Sequence, residues 1–232
     1  MYFDFCHFII LFFTYSFIGY LLEVTSVSLW EDKIVLSRGY LVGPYLPIFG
    51  FGALFIIEYL EQYQNDIIAL FIMGMVTCCT LEYFTSLLME KVFHLRWWDY
   101  SEKKFNINGR VCLENDIYFG VGAVLLVRYM HPWISRILLS FHYHTICILG
   151  SLLFIILLSD FMLSTHMILQ LTFDVNLYHN KDATSAIRKE IRERLSHDSI
   201  FRKRILSAYP KLSESSNRIK VKEIIERNQF KK

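Results

Sequence analysis

FCHFIILFFTYSFIGYLLEVTSVSLW, residues 5–30, decides the fold class. About 20 apolar residues suffice to cross a hydrocarbon core, and the only charged residue in this run is Glu23. Ser16, Gly19, Glu23 and Ser26 recur at helical spacing, so small and polar residues share one face of a helix. An ionised carboxylate turned toward acyl chains costs on the order of 3 kcal/mol. That face is therefore expected to pack on other helices.

The same reading repeats along the chain. Residues 31–39 form a polar connector with Lys33 and Arg38, and residues 40–59 read as a second span. Its entry holds Gly39, Gly43, Pro44 and Pro47, which two readings accommodate. Either the prolines simply begin a helix, where proline is tolerated, or the entry is a broken segment buried in protein or lining a cavity. Residues 61–66 make a tight connector, and 67–90 a third span with Cys78, Glu82, Thr85 and Ser86 along one stripe. A polar loop follows at 97–112, WWDYSEKKFNINGRVC. The fourth span is read at 117–129, its start drawn back toward Asn115 and Asp116, with Gly120 and Gly122 allowing close helix contact. Residues 133–143 read as interfacial, and 145–163 as a fifth span carrying Asp160. The fold class is thus an all-α polytopic membrane bundle of about five spans.

Charge divides the chain in two. Residues 1–165 hold nine Lys/Arg and fourteen Asp/Glu, whereas residues 166–232 hold fifteen and eight. We expect a transmembrane bundle over 1–165 and a basic, largely helical cytoplasmic tail over 166–232, with a linker at 213–217. No cleavable signal peptide is expected, because the first apolar run lacks a basic leader and a small-residue cleavage site. The five cysteines show no CxxC spacing and suggest no disulfide framework. With five spans and the tail inside, 22 of the 24 Lys/Arg fall on the inner side. The positive-inside rule then puts the N-terminus outside and the C-terminus in the cytoplasm, at the cell membrane.

That topology gathers polar residues at the cytoplasmic end. Glu23, Arg38, Glu82, Glu90, Asp99, Asn106, Asn108, Arg110, Asp116 and Asp160 all fall there. Glu23, Arg38, Glu82, Asp99, Asn106 and Arg110 are the candidate ligand-binding network, since ionisable residues within a membrane are functional candidates by default. Arg110 and Glu82 are expected to share one desolvated network with Glu23 and Arg38. Such pairs also serve merely to lock helices together, a role the arginine fork suits. Trp97 reads as an interfacial anchor; Trp98 admits either a belt or a site role.

Several long motifs carry a resemblance. Glu23, the run RGYLVGPYLPIFGFG from Arg38 to Gly52, Leu81-Glu82-Tyr83 with Glu90, and WWDYS through FNINGRVC resemble a bacterial family. It is the family of putative ABC-transporter permeases of type IV (CmpB-like), matched over about residues 8–133. Phe49 stands where many relatives carry tyrosine. The resemblance makes Gly39, Gly43, Pro44, Pro47, Trp98 and Gly109 motif positions, and it implies a transport component without naming a substrate. An ABC permease requires a separate ATPase docked on a cytoplasmic coupling element, for which the 97–112 loop or the basic tail would serve.

Other chemistries find little support. The chain holds no GxxxxGK[ST], no GxSxG and no HExxH. His142 and His144 lack a third ligand nearby, so no metal and no cofactor are expected. The basic tail reads as contact with anionic lipid or a partner protein, and no nucleic acid is expected. Three functions stay open: a permease-like transport component working as a homo-oligomer or with an ATPase; a membrane enzyme on a lipid or polyprenyl head group; or a structural or regulatory anchor.

Overall fold

The computed structural model describes residues 2–32, 36, 39–93 and 97–179, without the side chains of 30, 31 and 171–179. The element order is α1 (Tyr2–Glu31), α2 (Pro47–Leu60), a 3₁₀ turn (Glu61–Tyr63), α3 (Ile67–Phe93), β1 (Asn106–Ile107), β2 (Val111–Cys112), α4 (Leu113–Leu125), a π turn (Leu126–Met130), α5 (His131–Leu139) and α6 (Tyr143–His179). Helix dominates, as the long apolar runs require, and the polytopic α-helical class holds.

Four helical stretches are long and apolar enough to cross a membrane: Tyr2–Leu29, Ile67–Phe93, Leu113–Leu139 and Tyr143–Gln170. The second expected span differs. Its helix begins only at Pro47 and runs 14 residues, roughly 21 Å at 1.5 Å per residue. Residues 39–46 are not helical, with Gly39 at φ 85°. Of the two readings of this entry, the irregular one describes the backbone. Pro47 sits in the first turn of α2, where its missing N–H is no loss.

The run Leu113–Leu139 joins the expected fourth span to the segment read as interfacial. Pro132 lies inside this run and cannot donate to the carbonyl four residues earlier. The π turn at Leu126–Met130 lies directly before it, a position where a proline breaks the regular ladder. At the other end of the chain, α6 passes through residue 165 and continues to His179. The rest of the expected tail lies outside the described residues, as do Lys33 and Arg38.

Helices α6, α1, α2, α3 and α4 pack in succession, with α2 also touching the π turn. Gly120 permits the close approach of α4 to α3: a Cβ there would lie 2.7 Å from the Phe71 ring and 3.0 Å from its carbonyl oxygen. Gly122 instead faces open space. On α1, Ser16 is buried and Gly19 lies against Phe49 of α2, whereas Ser26 is exposed. Apolar packing concentrates toward one end, where Cys6, Ile10, Tyr15, Leu60, Leu70 and Ile146 belong to a single cluster. Phe17, Leu22, Phe84, Leu88, Ile148 and Ile155 stand exposed, as lipid-facing positions do.

Candidate functional site

The polar end of the bundle is organised by the segment between α3 and α4. Read from the sequence only as a loop, it contains a two-residue-strand hairpin, with Asn106 opposite Cys112 and Ile107 opposite Val111. Asn108 and Gly109 both have positive φ, 53° and 65°, and the Arg110 N–H bonds the Ile107 carbonyl at 3.0 Å. That is a type I′ turn, for which Asn-Gly is the preferred pair. The signal was present in the sequence.

Several predicted site residues build this hairpin. The Asp99 carboxylate accepts from the Ser101 N–H at 3.0 Å and its hydroxyl at 2.5 Å. Asn106 donates to the carbonyls of Ser101 and Lys103 and accepts from the Gly109 N–H at 2.9 Å. Trp98 donates its indole N–H to the Arg110 carbonyl at 2.8 Å. Asn108 donates to the Tyr83 hydroxyl at 3.0 Å, tying the turn to α3. Lys103 pairs with Glu114 at 2.8 Å, an exposed contact that holds the ammonium pKa above its ordinary value.

The turn delivers Arg110 to α3, where it is buried. One guanidinium nitrogen donates to the Ser86 hydroxyl at 3.0 Å and the other to the Glu90 carboxylate at 2.5 Å, with Tyr83 5.8 Å away at the ring centroid. Arg110 and Glu82, expected to share one network with Glu23 and Arg38, are not bonded to each other. Ser86 and Glu90 are four residues apart on one helix face, and the hairpin sets the fork across them. Arg38 lies outside the described residues.

Glu82 has a different environment. It is 6% exposed, and its Oε1 accepts from the Tyr100 hydroxyl at 3.1 Å. Its other oxygen is buried with no hydrogen-bond partner among the described residues. Burial and the nearby charges of Glu82 and Glu23 push the Tyr100 phenol well above its ordinary pKa, so it stays a donor. Across the helix contact, Asp116 on α4 is 7% exposed, lies beside Cys79, and leaves Oδ1 buried without a partner. Asp116 and Glu23 are both near enough to act electrostatically on Glu82. Glu82 thus has Tyr100 as its bonded partner, with Asp116 and Glu23 acting on it electrostatically, and Arg110 is set aside with Glu90.

Asp160 on α6 serves the irregular entry to α2. It accepts from the backbone N–H groups of Val42 and Gly43 at 2.9 and 2.7 Å, from the Tyr45 hydroxyl at 2.5 Å, and from the Ser164 hydroxyl at 2.9 Å. Tyr40 bonds Thr165 on the same helix, and the Leu46 N–H bonds the Ser16 carbonyl of α1 at 3.0 Å. Three backbone N–H groups of this non-helical stretch are thereby satisfied by protein.

No curated protein and no solved structure matches the chain. A family profile does, over residues 10–165, which spans α1 through the apolar part of α6 and so takes in the hairpin, the carboxylates and the Asp160 anchor. The chain belongs to the family described as "Putative ABC-transporter type IV".

Proposed function

We infer that the chain is a multi-pass cell-membrane permease-like subunit that binds a small polar solute at the hairpin end of the bundle. The observation supporting this is the pair of buried carboxylate oxygens, on Glu82 and Asp116, that no group among the described residues satisfies. Folding alone gains nothing from such groups, since each buried acceptor without a partner costs about 1–3 kcal/mol. A solute carrying donors removes that penalty when it binds. The excess of Lys/Arg in the segments at this end supports a cytoplasmic orientation for it.

The family suggests that a separate ATPase drives the process, and the hairpin is the docking element we assign to it. A lipid-phosphate enzyme finds less support, because both terminal nitrogens of Arg110 are already taken by Ser86 and Glu90. Extraction into native nanodiscs tests the reading. The expected particle is larger than one chain and carries an ATPase or a second copy. A monomer with no copurifying protein would contradict it.

A further inference from the structure

The Glu82–Asp116 pair has a property that a general polar site does not require. Two carboxylates, 6% and 7% exposed, project from facing helices with one orphan oxygen each. Among the described residues no cation bonds either of them, because Arg110 is bound to Glu90 and Ser86. Among the described residues, the titratable groups that act on Glu82 are Glu23 from α1, Cys78 and Cys79 from α3, Tyr100 and Cys112 from the hairpin segment, and Asp116 from α4. Of these, Tyr100 donates to Glu82 and the Cys79 thiol lies on Asp116, both neutral groups that bring no positive charge. Carboxylates that act on one another in a low-dielectric setting resist ionising together. The orphan acceptors also need N–H or O–H donors, which a proton provides only in part.

We propose that Glu82 and Asp116 form an exchange site that holds a proton when empty and gives it up to water in exchange for an organic cation bearing N–H donors, of the ammonium or guanidinium class. The proposal rests on the transport reading above and names its substrate class. The exchange balances: the O–H proton leaves the carboxyl for water or buffer, and the incoming N–H groups donate to the oxygens it vacates. The charge inside the pocket does not change. That matters where an unbalanced charge is costly.

The test uses the full chain in nanodiscs, with methylguanidinium as probe and tetramethylammonium, which has the charge but no N–H, as control. Infrared spectra at neutral pH should show a carboxylic-acid C=O band that methylguanidinium removes, with release of about one proton per chain to a pH indicator, as expected for a coupled pair. Tetramethylammonium should leave the band in place, and the Glu82→Gln/Asp116→Asn double variant should lack it. The wild-type titration stands even if that variant does not fold. Absence of the band in wild type overturns the proton site. A band that methylguanidinium leaves unchanged, or that tetramethylammonium removes equally, overturns the exchange. A monomer without partners that still exchanges would remove the transport assembly and leave the exchange site standing.

Discussion

Asp160 on α6 accepts four hydrogen bonds and closes a stretch of backbone that has no helix of its own. Glu82 on α3 accepts one, from Tyr100, and together with Asp116 leaves buried oxygens empty. All three are acids in apolar helices that the sequence places at one end, and only Glu82 is among the candidate network there. Their surroundings assign opposite roles. Where every lone pair meets a donor, the carboxylate is a fastening. Where lone pairs are buried and unmet, the folded chain retains an unfavourable feature that a ligand or proton can relieve.

The largest effect on stability should come from the fastening. Asp160→Ala strands two amides and two hydroxyls around residues 42–45 and 164, and should cost about 2–4 kcal/mol. Denaturation in detergent measures it, and a loss below about 0.5 kcal/mol would mean that water replaces the carboxylate freely. Arg110→Gln comes next, at about 2 kcal/mol. That is less than the 3–5 kcal/mol of a fully buried broken pair, because the surviving Glu90 is 38% exposed and rehydrates. A double-mutant cycle should find Arg110 coupled to Glu90 by about 1 kcal/mol, and more weakly to Glu82. The reverse order would place the hairpin wrongly on α3.

Smaller still is Gly109→Ala, which puts a Cβ on a residue at φ 65° and should cost about 1–2 kcal/mol. It should also loosen the Tyr100 contact to Glu82, since the Tyr100 N–H bonds the Gly109 carbonyl at 2.8 Å. Protection of that amide in hydrogen exchange reports the loosening, and unchanged protection would separate the turn from the site.

Much of the fold was legible because membrane-length apolar runs leave few alternatives. The second span was legible only as a choice: Gly39, Gly43, Pro44 and Pro47 suit either a helix start or a break. What decides it is Asp160, over a hundred residues away. The hairpin carried its Asn108-Gly109 signal, yet its strands are two residues each, too short for alternation to mark them. Glu23 and Glu82 could be placed at one end by topology. Their partners could not, because Glu82 and Glu90 lie about two turns apart on one helix and both are open to an arginine. Topology puts Asp116 at the same end, at the start of a span, but not beside Glu82. Its approach to Glu82 depends on the α3–α4 register, which Gly120 and Phe71 set by packing.

The smallest expected effect on stability decides the comparison. Thermal unfolding of Asp160→Asn and Glu82→Gln, measured side by side in the same detergent, replaces each carboxylate by an amide of nearly the same shape. Asp160→Asn should lower Tm, because an amide offers one acceptor oxygen where two serve four donors. Glu82→Gln should leave Tm unchanged or raise it, since the Tyr100 bond survives on the amide oxygen and the crowded charge is gone. A loss for Glu82→Gln as large as that for Asp160→Asn would make Glu82 a fastening too, and the site reading would fall.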